Sequence, residues 1–331
     1  MRRLILPVFL CGLLAFSTSC SERPTTVKKA PLPGGNKDPL RLRLAVIPKG
    51  TTHVFWKSVE RGAKKAGEDL DIDIVWKGPI TENDAAGQIQ VVQQFTADGV
   101  SGIVLAPLDH QALVNPVKAA REKNIHVVIF DSALDGEAGK DFATFVATNN
   151  RQAGKLGGQH LAELLGGKGN VVLLRYLAGS ASTDEREKGF LDAIAQNKEM
   201  KVLVDNKYAG ATGEEAKTQA LNLLDQIKEA QGVFCPNESS TFGMLIALRQ
   251  SNLIGKVKLV GFDASPPLIE ALRNGEIAAL VVQDPTGMGY KAVQALADSI
   301  RGVKLEPIMD TGAVLVTKQN IETEQVKKLL E

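Results

Sequence analysis

The chain has 331 residues, with 39 Lys and Arg against 38 Asp and Glu, a net charge of +1 and only 5% aromatic residues. That balance argues against a polyanion-binding protein, and 44% hydrophobic residues supply two globular lobes or one large one. Four histidines leave few candidates for histidine-based catalysis, and their spacing suggests no metal site.

At the N-terminus, Arg2 and Arg3 precede an apolar run from Leu4 to Phe16 and then the small residues "STSC", ending at Cys20. This reads as a secretory signal peptide over residues 1–19, too short to span a membrane. A Cys directly after the cleavage region resembles the bacterial lipoprotein signal, in which that Cys is lipidated and becomes the mature N-terminus. One departure is Ser17, where the pattern prefers Leu. Cys11 leaves with the signal, Cys20 is expected to carry lipid, and Cys235 lies in the apolar run "GVFCPN", so no disulfide is expected. Residues 20–39 include "SERPTTVKKAPLPGGNKDP", rich in Pro, Gly, Lys and Thr, and read as a flexible tether.

From Leu40, apolar runs of strand length alternate with amphipathic stretches of helix length. The strands are "LRLAVIP", "IDIVWK", "GIVLAP", "HVVIFD", "FATFVAT", "NVVLLRY", "KVLVDNKY", "GVFCPN", "KLVGFD" and "AALVVQD". Helices are expected over Phe55–Leu70, Asp84–Asp98, Gln111–Lys123, Arg151–Leu165, Thr183–Asn197, Gly213–Glu229 and Ser239–Ser251, and "TEQVKKLLE" reads as a short solvated helix. Nearly continuous apolar strands alternating with helices predict an α/β fold with parallel sheets covered on both faces. So many strands exceed the common single open sheet, which predicts two doubly wound parallel-sheet lobes dividing near Val146 to Asn150. There is no phosphate-binding Gly loop, HExxH, nucleophile elbow or CxxC.

Polar residues gather just after the strands, where open α/β sheets bind ligands. They are Lys49, Thr51, His53, Phe55 and Trp56, then Asp109, then Asp131 and Ser132, then Ser182, Thr183, Asp184 and Arg186, then Asn237 and Glu238, Asp263, and Gln283 with Asp284. Carboxylates accept from paired hydroxyls, amides donate and accept, and an aromatic ring covers an apolar C–H face, which together suit a sugar. Several carboxylates in one cleft would repel an anion, so the expected ligand is a neutral monosaccharide or polyol, with Lys49 and Arg186 tempering the charge. Helix capping is the competing reading for Asp131, Thr183 and Asp263, and the favoured one for Asp109.

From about Leu42 to Val316 the chain resembles the periplasmic sugar-binding proteins of the ribose-binding type, type I periplasmic binding proteins that serve bacterial ABC importers. The resemblance rests, in order, on "PKGTTHVFWKSVERGA", "GVSGIVLAPLDHQAL", "VVIFDSAL", "VATNNRQAGKLGGQHLAE", "GSASTDEREKGFLDAI", "GVFCPNESSTFGMLIAL", "VKLVGFDASP" and "ALVVQDPTGMGYKAV". It implies stacking rings at Phe55 and Trp56 and a polar contact at His53, where ribose binders have Asn. It further implies an acidic contact at Asp131, followed by Ser132 where ribose binders have Arg. Asp184 takes a position that is Arg in ribose binders, Arg186 fits a neighbouring and mainly structural arginine, and Asn237, Asp263 and Gln283 match the remaining contacts. The changes at His53, Ser132 and Asp184 argue against ribose itself.

The same resemblance implies a three-segment hinge with crossings near Val146, Gln283 and Gly312. The N-terminal lobe would then be 40–148 with 284–311, and the C-terminal lobe 149–283 with 312–331. It implies a monomeric periplasmic or lipid-anchored receptor for an ABC permease, with no cofactor, no enzymatic activity and no nucleic-acid partner. Two alternatives stay open from the sequence. One is a receptor of this fold reporting to a chemosensory or sensor-kinase partner; the other is a secreted carbohydrate-active enzyme using Asp131 and Asp263.

Overall fold

A computed structural model describes residues 41–330; the expected signal peptide, Cys20 and the tether lie outside them. The first half runs β1 (Arg43–Ile47), α1 (Val54–Leu70), β2 (Asp73–Trp76), α2 (Ala85–Asp98), β3 (Gly102–Leu105), α3 (Val114–Glu122), β4 (His126–Phe130) and β5 (Phe145–Ala147). It continues with α4 (Asn150–Leu164), β6 (Lys168–Arg175), α5 (Ala181–Ala195), β7 (Glu199–Tyr208), α6 (Gly213–Asn222), α7 (Leu224–Glu229), β8 (Gly232–Phe234) and α8 (Glu238–Gln250). Then come β9 (Lys258–Phe262), α9 (Pro266–Asn274), β10 (Ala279–Gln283), α10 (Pro285–Ile300), β11 (Ile308–Asp310), β12 (Ala313–Thr317) and α11 (Glu324–Leu330).

Two six-stranded sheets result, ordered β11-β5-β4-β3-β1-β2 and β12-β10-β9-β8-β6-β7. Every pairing is parallel except that of β12 with β10, which is antiparallel. The strands are apolar on both faces because both are covered. Leu44, Val46, Val104 and Val128 pack with α1 and α10 on one side of the first sheet, while Ala45, Ile47, Ile103 and Ile129 pack with α2 and α3 on the other. The second sheet does the same, with Val172, Leu174, Val233 and Leu259 facing α6, α8 and α9, and Val171, Leu173, Phe234 and Val260 facing α4 and α5.

Sheet membership changes between β5 and α4, between β10 and α10, and between β11 and β12. Two of these connections are tied together: Asp310 Oδ1 accepts the N–H groups of Asn149 (3.1 Å) and Gly312 (2.8 Å), and the Thr148 hydroxyl donates to the Gly312 carbonyl at 3.0 Å.

Beyond the ten expected strands the structure adds β11 and β12, it adds helices α9 and α10, and two expected helices differ from expectation. The stretch from Gly213 to Glu229 is two helices, because Leu223 leaves helical geometry (ψ 13°) where its side chain enters the core. The terminal helix is not simply solvated: Val326 is buried, and Leu329 and Leu330 pack on the second lobe's core while the lysines face outward.

Glycines set the spacing of the two helix pairs that carry the strand-end loops. A Cβ on Gly62 of α1 would lie 1.9 Å from the Thr286 carbonyl oxygen of α10, and one on Gly154 of α4 would lie 1.9 Å from the Arg186 carbonyl oxygen of α5. Gly154→Ala must therefore push α5 away, and we expect it to cost about 1–3 kcal/mol of stability. Urea denaturation checks this; an unchanged midpoint would contradict so close an approach.

Candidate functional site

The loops after β1, β2, β4, β6, β8, β9 and β10 meet between the sheets around a small cavity of about 30 Å³. It is lined by Lys49, His53, Phe55, Trp56, Glu82 and Asp131 from the first lobe, and by Tyr176, Ser182, Thr183, Arg186, Asn237, Glu238, Asp263 and Gln283 from the second or its border. The two lobes meet directly here. Phe55 N–H donates to Glu238 Oε2 (3.2 Å), Ser182 N–H to the Ser132 hydroxyl (3.1 Å), and Lys49 Nζ to the hydroxyls of Ser182 (2.9 Å) and Ser180 (3.2 Å).

Asp131 and Asp263 occupy matching places, each ending the fourth strand of its sheet in the sequence Phe-Asp. Both have left-handed backbones, φ 60° and 66°, a conformation that Asp tolerates better than bulkier residues. Each N–H still bonds the neighbouring strand, Asp131 to Val146 O and Asp263 to Val281 O, so the twist turns the carboxylates into the cleft. Asp131 pairs with Lys49 at 3.3 Å. Asp263 accepts from Gln283 Nε2 (2.7 Å) and from Glu238 N–H (3.0 Å), and burial pushes its pKa up.

Arg186 is 2% exposed, with Nε on Asn150 Oδ1 (2.8 Å), Nη1 on the Pro236 carbonyl (3.0 Å) and its guanidinium 4.0 Å above the Phe262 ring. Burial pulls its pKa down, opposed by the charges of Asp263 and Asp131. At the opposite end, Glu82 Oε1 accepts from Trp56 Nε1 and lies as close to His53 Nδ1, both 2.7 Å. Burial disfavours the Glu82 charge, but the His53 bond and charge, then Lys49 and Trp56, outweigh it and hold its pKa down at about 2. His53 is the converse: burial works against its charge, yet Glu82, with Glu238 and Asp263, raises its pKa to about 9.

Aromatic surface comes from α1. Phe55 is half-buried and lines the cavity, meeting Trp56 edge-on at 5.0 Å; Trp56 is 2% exposed and meets Phe130 edge-on at 6.1 Å. Trp56 is thus both a core residue and part of the wall. Two buried polar atoms in the lining make no hydrogen bond of ordinary length among the described residues, Gln283 Oε1 and the Tyr176 hydroxyl, which faces Glu82 and Ser239. Tyr176 is held from behind by Glu187, which accepts its N–H (3.0 Å), pairs with Arg175 (2.7 Å) and is pushed up to about 7 by burial.

A family model described as the periplasmic binding protein domain matches residues 44–304. The chain belongs to that family. Among relatives, it is similar to the ribose import binding protein of Salmonella typhimurium, 29% identical over 83% of this chain and 90% of the relative. It is likewise similar to the D-allose-binding periplasmic protein of Escherichia coli, 27% identical over 80% of this chain and 86% of the relative. Among solved structures, an Agrobacterium vitis solute binding protein with bound D-fucose is 35% identical with a TM-score of 0.83, covering 87% of this chain and 100% of its own. An Agrobacterium radiobacter carbohydrate transporter solute binding protein in complex with D-arabinose is 32% identical with a TM-score of 0.84, covering 89% and 100%.

As a periplasmic binding protein, the chain gathers most of the residues singled out from its sequence at one cavity. Lys49, His53, Phe55, Trp56, Asp131, Arg186, Asn237, Asp263 and Gln283 all line it. Ser132 does not; it is fully buried and anchors Ser182. Asp184 does not line it either: half-buried in the first turn of α5, it has Lys188 and Arg175 as charged neighbours. Asn237 also caps α8 through Ser240. Asp109 caps the turn leading into α3, accepting from the N–H groups of Gln111 and Ala112. Glu82 and Tyr176 escaped sequence reasoning. Tyr176 directly follows β6 and the strand-end rule could have found it, whereas Glu82 sits in the polar loop "GPITEND", where nothing local marks it.

Proposed function

We propose that this chain is an extracytoplasmic sugar receptor that binds a neutral monosaccharide or polyol between its lobes and delivers it to an ABC importer. The observation that carries the reading is the cavity itself, where aromatic surface from Phe55 and Trp56 adjoins fixed carboxylates and the two buried polar atoms of Tyr176 and Gln283 that make no hydrogen bond of ordinary length among the described residues. A buried polar group without a partner costs about 1–3 kcal/mol, which a ligand hydroxyl relieves. The relatives that carry ribose, allose, arabinose or fucose in their names support a monosaccharide.

The three connections between the sheets form the hinge, with lobes 40–148 plus 284–311 and 149–283 plus 312–331. Ligand touching both lobes biases the hinge toward closure. Lys49, His53, Phe55, Trp56, Asp131, Arg186, Asn237, Asp263 and Gln283 are assigned to ligand binding, joined by Tyr176. Asp131 and Asp263 are tied to Lys49, Gln283 and the Glu238 N–H, which suits fixed acceptors better than the acid and base of a hydrolase. The protein acts in the periplasm as a monomer without enzymatic activity, anchored through lipid on Cys20.

The test is a titration with D-ribose, D-allose, D-arabinose, D-fucose and neutral polyols, read by tryptophan fluorescence and melting temperature. At least one sugar is expected to give a saturable response, weakened about tenfold in Tyr176→Phe, which removes one hydrogen bond. No response across the panel would sink the sugar assignment.

A further inference from the structure

His53 and Trp56 lie on the cavity, yet what governs them stands on another element, the loop between β2 and α2. Glu82 is 7% exposed, and its Oε1 takes hydrogen bonds from Trp56 Nε1 and His53 Nδ1, each at 2.7 Å. Room for it is kept by Gly50, where a Cβ would approach Glu82 Cγ to 2.9 Å. With Nδ1 committed to a carboxylate, the imidazole is fixed in orientation, and Nε2 is the only ring nitrogen left for a ligand.

We propose that Glu82 is the positioning residue of this site: by holding His53 Nδ1 and the Trp56 indole it fixes both rings and leaves His53 Nε2 to donate, so that the ligand must present an acceptor oxygen there. The inference rests on the sugar-receptor reading and narrows it. A neutral amide at this position could donate or accept; a cationic imidazole only donates, so a ring oxygen or a hydroxyl lone pair is selected and an ammonium, as in an amino sugar, is rejected.

The charges around His53 agree. Glu82 faces it from the β2–α2 loop, Glu238 from the start of α8 and Asp263 from the end of β9; Lys49, on the same loop as His53, acts on Glu82, and Tyr176 approaches Glu82 from the second lobe. Together they hold the imidazole charged up to about pH 9. Without Glu82 the burial penalty is opposed only by the two farther carboxylates.

The experiment is an NMR titration of the histidine ring protons in the full chain, with His53→Gln to assign the resonance. In the unaltered protein a midpoint near 9 is expected; in Glu82→Gln it falls by about two pH units or more. The same two proteins are then titrated, between pH 5.5 and 8, with whichever sugar of the panel binds. Affinity is expected to stay flat in the unaltered protein and to fall about tenfold with rising pH in Glu82→Gln, as the charged donor is lost. A midpoint at or below 6.5 in the unaltered protein, which needs no variant to fold and no ligand, overturns the inference, as does an identical affinity profile in both proteins. A midpoint near 9 with no sugar bound would instead sink the sugar reading and leave the Glu82–His53 assignment standing.

Discussion

Arg186→Met is expected to destabilise the protein by about 3–5 kcal/mol, the cost of breaking a buried charge network from one side. The guanidinium is 2% exposed and serves three groups at once: Asn150 at the entrance to α4, the Pro236 carbonyl before α8, and the face of Phe262. Met replaces the volume and part of the Phe262 contact but neither hydrogen bond. It also removes the charge that most offsets the burial of Asp263, whose pKa is already raised. Arg186→Lys should recover little, because a single ammonium cannot form both bonds and lie flat on the ring. Urea denaturation monitored by circular dichroism measures the loss; a change below about 1 kcal/mol would mean that the network does not hold the second lobe together.

The second large effect falls on binding. Lys49 Nζ reaches Asp131 in its own lobe and the Ser180 and Ser182 hydroxyls of the other, and it is 3% exposed. In Lys49→Met the closed form keeps Asp131 buried without its ammonium, while an open hinge lets water reach that carboxylate. The penalty is therefore charged to closure more than to the folding of either lobe. A shift of about 2–4 kcal/mol against closure lowers apparent sugar affinity by about 30- to 1000-fold. The expected pattern is a large rise in Kd for the sugar with a small change in melting temperature of the ligand-free protein. Equal losses in both would place Lys49 in the folding core and contradict its role as the link between lobes.

How legible was this arrangement? The strands from β1 to β10 were all readable as apolar runs, because a parallel strand covered on both faces has no polar alternation to confuse it. β11 and β12 were not among them: β11 is three residues long with Ile308 and Asp310 exposed, while β12, apolar from Ala313 to Val316, pairs antiparallel at an edge outside the alternation of strand and helix. α9 and α10 were likewise missed, each opening with Pro shortly after a strand, which reads as a turn; only α10 has a side-chain cap, Asp284 accepting from the Gly287 N–H, whereas Ser265 holds the cap position of α9 without such a bond. For Asp263 the competing cap reading gives way: Ser265 takes the cap position of α9, and the Asp263 carboxylate meets Gln283 on the cavity wall.

By itself, the sequence determined the α/β class, the strand order along the chain and the rule that polar side chains at strand ends converge, since these follow from local periodicity and from the direction in which parallel strands deliver their loops. Only the tertiary structure decided which of those side chains share one cavity. Lys49 stood out only as one polar residue among several at a strand end, and Glu82 as nothing more than a loop acid. Both are buried because partners distant in the chain, 131 and 133 residues away for Lys49 and 26 for the indole above Glu82, come within hydrogen-bonding distance. Asp184, one turn position from residues that do line the cavity, is directed elsewhere by the helix. Burial and charge at such a site belong to pairings across the fold, and a pairing across the fold leaves no local trace in the residues that make it.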